Sequence, residues 1–231
     1  MPTFRQPGQT IILEIDGHPV GPLLSTDAKD VIPQTSDYVS GESVWLCNIS
    51  GSRAVVDWIS STAASRFNRR NVKLTIIDQI RKTGTELAMF DCLLAQVTLP
   101  ALDKASSAAV WMRLVVKPEI SRRSALGDIQ TISIPRLKEP SKVNEFDFVV
   151  DGVDDAKFVQ RVESMTFQQG TKVVYQHKST AIEPTKISAS NIVINLPVQH
   201  GAGFLKWSDQ TKNPNTRGNL RQEKTERCDT W

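Results

Sequence analysis

The chain has 231 residues, 39% hydrophobic and 23% charged, which suits a soluble globular protein and excludes wholesale disorder. A net charge of +3, from 28 Lys and Arg against 25 Asp and Glu, is too small for a dedicated nucleic-acid binder. No apolar run approaches the roughly 20 residues of a membrane span, and Met1 to Gly8 holds no signal-peptide core, so a protein cytosolic at synthesis is expected.

The first element in chain order is a strand over Ile11 to Ile15 that stops at Asp16-Gly17, a dipeptide suited to a tight turn with positive φ. A polar stretch to Gly41 reads as loop or irregular hairpin. Ser43 to Ile49 reads as a strand with Trp45 and Cys47 on one face and Val44 and Leu46 on the other. Ser52 is the expected N-cap of a helix in which Val55, Val56, Ile59 and Ala63 recur at helical spacing beside Trp58. The period then changes to two: Val72, Leu74 and Ile76 share a strand face. A turn is expected around Lys82 to Thr85, followed by a long strand, Glu86 to Thr98, whose Leu93-Leu94-Ala95 is buried on both faces or bulged. Ala109 to Lys117 alternates Val110, Met112, Leu114 and Val116 against Trp111, Arg113 and Lys117, and Pro118 closes the unit. Residues 119–144 read as a linker with a basic pair, Arg122-Arg123, and a short alternation of Ile129, Ile132 and Ile134.

At Glu145 the pattern restarts. Phe146-Asp147-Phe148-Val149-Val150 again runs into Asp151-Gly152, and a Gly201-Ala202-Gly203 turn introduces a second helix, Phe204-Leu205-Lys206-Trp207, to match the first helix and Trp58. From Thr211 the chain is almost wholly polar, and the closing strands of the first unit have no counterpart. The expected fold class is therefore mainly β with one helix per unit (α+β), a β-barrel or sandwich in two tandem units. Residues 1–118 form the first, 119–144 the linker, and 145–231 a partial second with a polar tail.

The run from Val55 to Lys117 joins an apolar-Asp-Trp helix start, an Arg-rich exit, Val-Lys-Leu-Thr-Ile-Ile-Asp, a Gly turn, a long strand, Pro-Ala-Leu-Asp and a final alternating strand. With the opening strand ending in Asp-Gly, that order resembles the tail tube proteins of contractile phages and related contractile injection systems. The resemblance covers residues 9–118 and, in part, 145–207. It implies a non-enzymatic structural subunit that forms or terminates an inner tube by ring assembly and stacking, in a virion tail or injection particle. Implied partners are copies of the chain, as a hexamer or a trimeric pseudo-hexamer, and other tail tube, sheath or baseplate proteins, with DNA or an effector only as passing cargo. A second reading is a tube-like baseplate, hub or adaptor module that binds a partner or cargo without catalysis.

Asp16, Gly17, Trp58, Asp151, Gly152 and Trp207 are the expected turn and core signature. The strand-edge argument, in which unpaired edges aggregate unless a neighbour covers them, places Leu93, Leu94, Val110, Met112, Leu114 and Val116 at an oligomer interface. No catalytic residue, cofactor or metal is expected. His18, His177 and His200 sit in loops without metal-ligand spacing, and Gly201-Ala202-Gly203 lacks the rest of a phosphate-binding motif. Asp151, Asp154 and Asp155 read as a solvated turn, and Arg66 to Arg70 as a helix exit. Cys47, Cys92 and Cys228 are odd in number and widely spaced, so neither disulfides nor a zinc site is indicated; the first two read as buried hydrophobes.

Overall fold

The structure, a computed structural model, describes residues 9–27, 42–48, 53–64, 68–126, 141–176 and 179–212. Strands β1 (Gln9–Ile15) and β2 (His18–Pro22) form a hairpin in which Ile15 faces His18 across Asp16-Gly17. Both turn residues have positive φ, 49° and 77°. That is type I′ geometry, which matches the right-handed twist of the flanking strands. Next come β3 (Ser25–Asp27), β4 (Ser43–Cys47), helix α1 (Arg53–Ala63) and β5 (Arg70–Asp78). β5 pairs with the whole of β1, from Gln9↔Asp78 to Ile15↔Val72. Ser52 and the segment from Ala28 to Gly41 lie outside the described residues.

Strand β6 (Thr83–Leu99) organises the rest. Its turn from β5 falls at residues 79–82, earlier than the expected Lys82 to Thr85. The cause is Asp78, whose Oδ1 accepts from the backbone N–H groups of Ile80 and Arg81 at 3.0 and 2.9 Å, so that Gly84 falls inside the strand. After β7 (Leu102–Asp103) come β8 (Met112–Lys117) and β9 (Ile120–Leu126). Together these two run along one side of β6, paired from Thr98↔Arg113 to Gly84↔Leu126. Two irregularities bend β6: Asp91 at φ 51°, and a register shift between Leu94 and Gln96. Leu93, Leu94 and Ala95 are all buried there, so this segment is both doubly covered and bulged.

The later elements are β10 (Arg161–Val162), β11 (Met165–Gln176), β12 (Ser179–Ala189), β13 (Ile194–Asn195) and α2 (Ala202–Lys212). β11 pairs with β12 and also joins β6, from Met165↔Leu99 to Gln168↔Gln96. One long strand thus belongs to two sheet paths, β2-β1-β5-β6-β9 and β3-β4-β8-β6-β11-β12. β13, β10 and β7 make a separate small sheet.

The core cluster takes Leu13 and Ile15 of β1, Trp45 and Cys47 of β4, Leu74 of β5, Met89 of β6, Leu114 of β8 and Val55 and Trp58 of α1. Trp58 is fully buried, and its Nε1–H donates to the Asn68 carbonyl at 2.9 Å, which satisfies its one polar atom. Burial pushes the Cys47 thiol up to about 12 and raises that of Cys92 further, with the Asp91 charge adding to the second. Both stay protonated and unreactive at neutral pH, as expected for structural cysteines.

The fold class is mainly β with two α-helices among the described residues, but three expectations are corrected. The antiparallel sheets stay open rather than closing into a barrel, because no described ladder joins their outer strands. Residues 120–126, expected in the linker, form β9 against β6, with Arg122 and Arg123 exposed; the Ile129 to Ile134 alternation lies outside the described residues. Phe146 to Val149 is not a strand. Its alternation half-buries Phe146 and Phe148, but no ladder forms there among the described residues. The chain around it is instead stitched to the 102–110 loop, by Val110 N–H to Ser141 O and Val143 N–H to Ala108 O, both 2.8 Å.

Candidate assembly surface

The expected signature residues separate into two sets. Asp16 and Gly17 make the hairpin turn, where the Asp16 carboxylate also accepts from the Asn71 N–H at 2.9 Å and from Arg70 at 2.7 Å. Trp58 is in the core. Asp151-Gly152 is a turn as expected, with Gly152 at φ 79°, but it closes only the isolated bridge Val150↔Val153. Trp207 lies on α2 at 38% exposed, against 0% for Trp58. The repeated sequence pattern therefore does not carry repeated packing.

The six residues expected at an oligomer interface all lie inside the protomer. Leu93, Leu94, Val110, Met112, Leu114 and Val116 are each at most 7% exposed. β8 has no free edge, because β6 takes one side and β4 the other. The alternation that identified this strand reports its own core face, which is a correction to the interface assignment.

The outer strands lie elsewhere. Among the described residues β9 pairs only with β6, and β12 only with β11. One point of β12 is held by the protomer itself. Glu119 Oε1 accepts from the Ile182 N–H at 3.0 Å, and Arg69 Nη2 donates to the Ile182 carbonyl at 2.5 Å. Arg69 also pairs with Glu119, so this partly buried ion pair anchors the β11–β12 hairpin to the rest of the sheet. Arg69 and Arg70 of the expected basic helix exit are both engaged in such internal pairs; Arg66 and Phe67 lie outside the described residues.

Exposed apolar side chains gather in the same part of the chain. Among the described residues, eight of the eleven exposed large hydrophobic side chains fall between Val149 and Trp207. Val198 is 97% exposed and Leu205 is 70% exposed, on either side of the turn into α2. No described residue of α2 is buried. An 11-residue helix of that kind is marginal on its own, and its start is held by one carboxylate. Asp155 Oδ2 accepts from the Gly203 N–H at 3.1 Å. A Cβ added at Gly203 would stand 2.7 Å from that oxygen, so the carboxylate would have to shift to admit a larger residue there.

His200, expected as an exposed loop residue, is half-buried. Its ring stacks on Phe158 with centroids 3.6 Å apart, and its Nδ1 lies 3.8 Å from Asp155 Oδ1. His18 is exposed, and His177 lies outside the described residues. Asp155 is thus an anchor rather than part of a solvated turn. Sequence reading missed it because the partner N–H is 48 residues away. Asp155→Ala is expected to cost about 1 kcal/mol, the usual worth of a helix cap. Faster amide hydrogen exchange confined to residues 203–206 is the expected readout.

No three-residue cluster of His, Cys, Asp or Glu with metal-binding spacing occurs among the described residues. No described helix is long and apolar enough to cross a membrane. The class defined by these features among the described residues is a mainly β, α+β protein of open antiparallel sheets with exposed apolar side chains on and beside one helix. Comparison with protein-family models and with curated proteins finds no match for the chain.

Proposed function

We propose that this chain is a non-enzymatic structural subunit of a phage tail or phage-tail-like contractile injection system. It forms or terminates an inner tube by joining copies of itself into rings that stack, and its site of action is the virion tail or injection particle. The tail-tube resemblance of residues 9–118 suggests the class. The observation that carries the reading is that β12 pairs only with β11 among the described residues, while most of their exposed large apolar side chains fall within residues 149–207. An uncovered edge is a liability in a monomer, and a ring of identical neighbours removes it. In this reading residues 145–212 are an extension grown on the tube-like unit through β11, not a second complete unit.

The double variant Val198→Glu/Leu205→Glu tests the surface without touching the core. It is expected to keep the parent circular dichroism spectrum and melting temperature. Its assembly should weaken roughly 10-fold or more per residue, since a buried aliphatic side chain contributes about 1.5 kcal/mol or more. Sedimentation velocity across a concentration series reads the effect. Unchanged assembly in the variant would remove this surface from the contact.

A further inference from the structure

The chain holds two Asp-Gly pairs, Asp16-Gly17 and Asp151-Gly152. Both lie at exposed turns, and their glycines have nearly the same φ, 77° and 79°. The two aspartates differ in what holds them. Asp16 is fixed by the neighbouring strand: its N–H donates to the Asn71 carbonyl at 2.8 Å, Oδ1 accepts from the Asn71 N–H at 2.9 Å, and Oδ2 accepts from Arg70 Nη1 at 2.7 Å. At Asp151 no described donor meets the carboxylate, and no described acceptor takes the Gly152 N–H.

An Asp-Gly pair carries its own reaction. The glycine nitrogen can attack the aspartate carboxyl carbon, because no Cβ on the glycine obstructs the approach. A bond forms between that nitrogen and Cγ, one carboxyl oxygen leaves as water, and a cyclic imide closes. Water then adds back at either imide carbonyl. At Cγ it restores aspartate; at the main-chain carbon it gives isoaspartate, with the chain now running through Cβ. Overall no atom is gained or lost. Closure requires the carboxyl group to turn onto the following nitrogen. For Asp16 that turn breaks two hydrogen bonds, one of them an ion pair, whereas Asp151 has neither to break. We propose that Asp151-Gly152 is a site of spontaneous covalent modification, where aspartate converts to isoaspartate, and that the grip of Arg70 and Asn71 protects Asp16-Gly17. The added main-chain carbon falls inside the turn that the Val153 N–H closes onto Val150 O at 3.0 Å. Conversion thus lengthens the main chain just ahead of Asp155, the anchor of α2. The site is independent of the assembly reading, and each can fail without the other.

Ageing the full chain at neutral pH and physiological temperature tests it. Isoaspartate is read peptide by peptide, by chromatographic separation of the isomers and by enzymatic methylation of isoaspartyl carboxylates. The peptide holding Asp151 is expected to convert at least roughly 10-fold faster than the one holding Asp16, the worth of a hydrogen bond to a charged group. In urea, where the grip on Asp16 is gone, the two rates should converge, because the pairs then differ only in their flanking residues. Arg70→Gln should raise the Asp16 rate several-fold in the folded chain and leave the Asp151 rate unchanged. No isoaspartate at Asp151, equal rates in the folded chain, a difference that persists in urea, or an Asp16 rate unmoved by Arg70→Gln would each overturn the proposal.

Discussion

Leu114→Asp is expected to unfold the protomer, not merely to prevent its assembly. Leu114 is fully buried in β8, facing Trp45 of β4 on one side and Val97 of β6 on the other. The substitution removes a large aliphatic group, a loss of about 2–5 kcal/mol, and places an unpaired carboxylate in the same space. The sum exceeds about 5 kcal/mol, comparable with the whole stability of an ordinary domain. Loss of the cooperative thermal transition and of the folded circular dichroism spectrum is the expected result. A folded Leu114→Asp protein that stays monomeric would contradict the burial of β8 and return that strand to an interface.

Trp58→Ala should be the next most damaging change. It opens a cavity where α1 meets the sheets and strips the Asn68 carbonyl of its donor. A buried tryptophan truncated to alanine costs about 3–5 kcal/mol. For a chain of this size that lowers the melting temperature by roughly 6–20 °C. Trp207→Ala, on a helix with no buried described residue, should cost under about 1 kcal/mol. Scanning calorimetry of the two variants compares them directly. Equal losses would mean that the two tryptophans hold equivalent cores, as a true structural repeat requires.

Much of the first unit is legible in the sequence because its signals are local. The Asp16-Gly17 turn, helix α1 and the inward set of Trp45 and Cys47 each depend on a few neighbouring residues, and each appears in the structure, although of the apolar α1 positions only Val55 is buried with Trp58 while Val56 and Ala63 are exposed. The double burial at Leu93 to Ala95 was legible for the same reason. What failed depends on partners far along the chain. Phe146 to Val149 has a strand's alternation, but alternation cannot say whether a neighbouring edge exists. The same limit reversed the reading of β8, since a core face and an interface face have one pattern. The Asp155 anchor of α2 and the Arg69–Glu119 hold on Ile182 join residues 48 to 113 apart, and no local pattern encodes such pairs. The burial of Gln169, 4% exposed, was not legible because a glutamine between polar neighbours reads as solvated until the register shift between Gln169 and Thr171 is known.

The central claim is assembly, and the direct measurement is light scattering coupled to size exclusion, followed by negative-stain imaging of the purified full chain. Particles of several chains that appear as rings or short stacks are expected, and the Val198→Glu/Leu205→Glu variant should lose them. A species that remains strictly monomeric at high concentration, with no tendency to stack even beside tail partners, would contradict it.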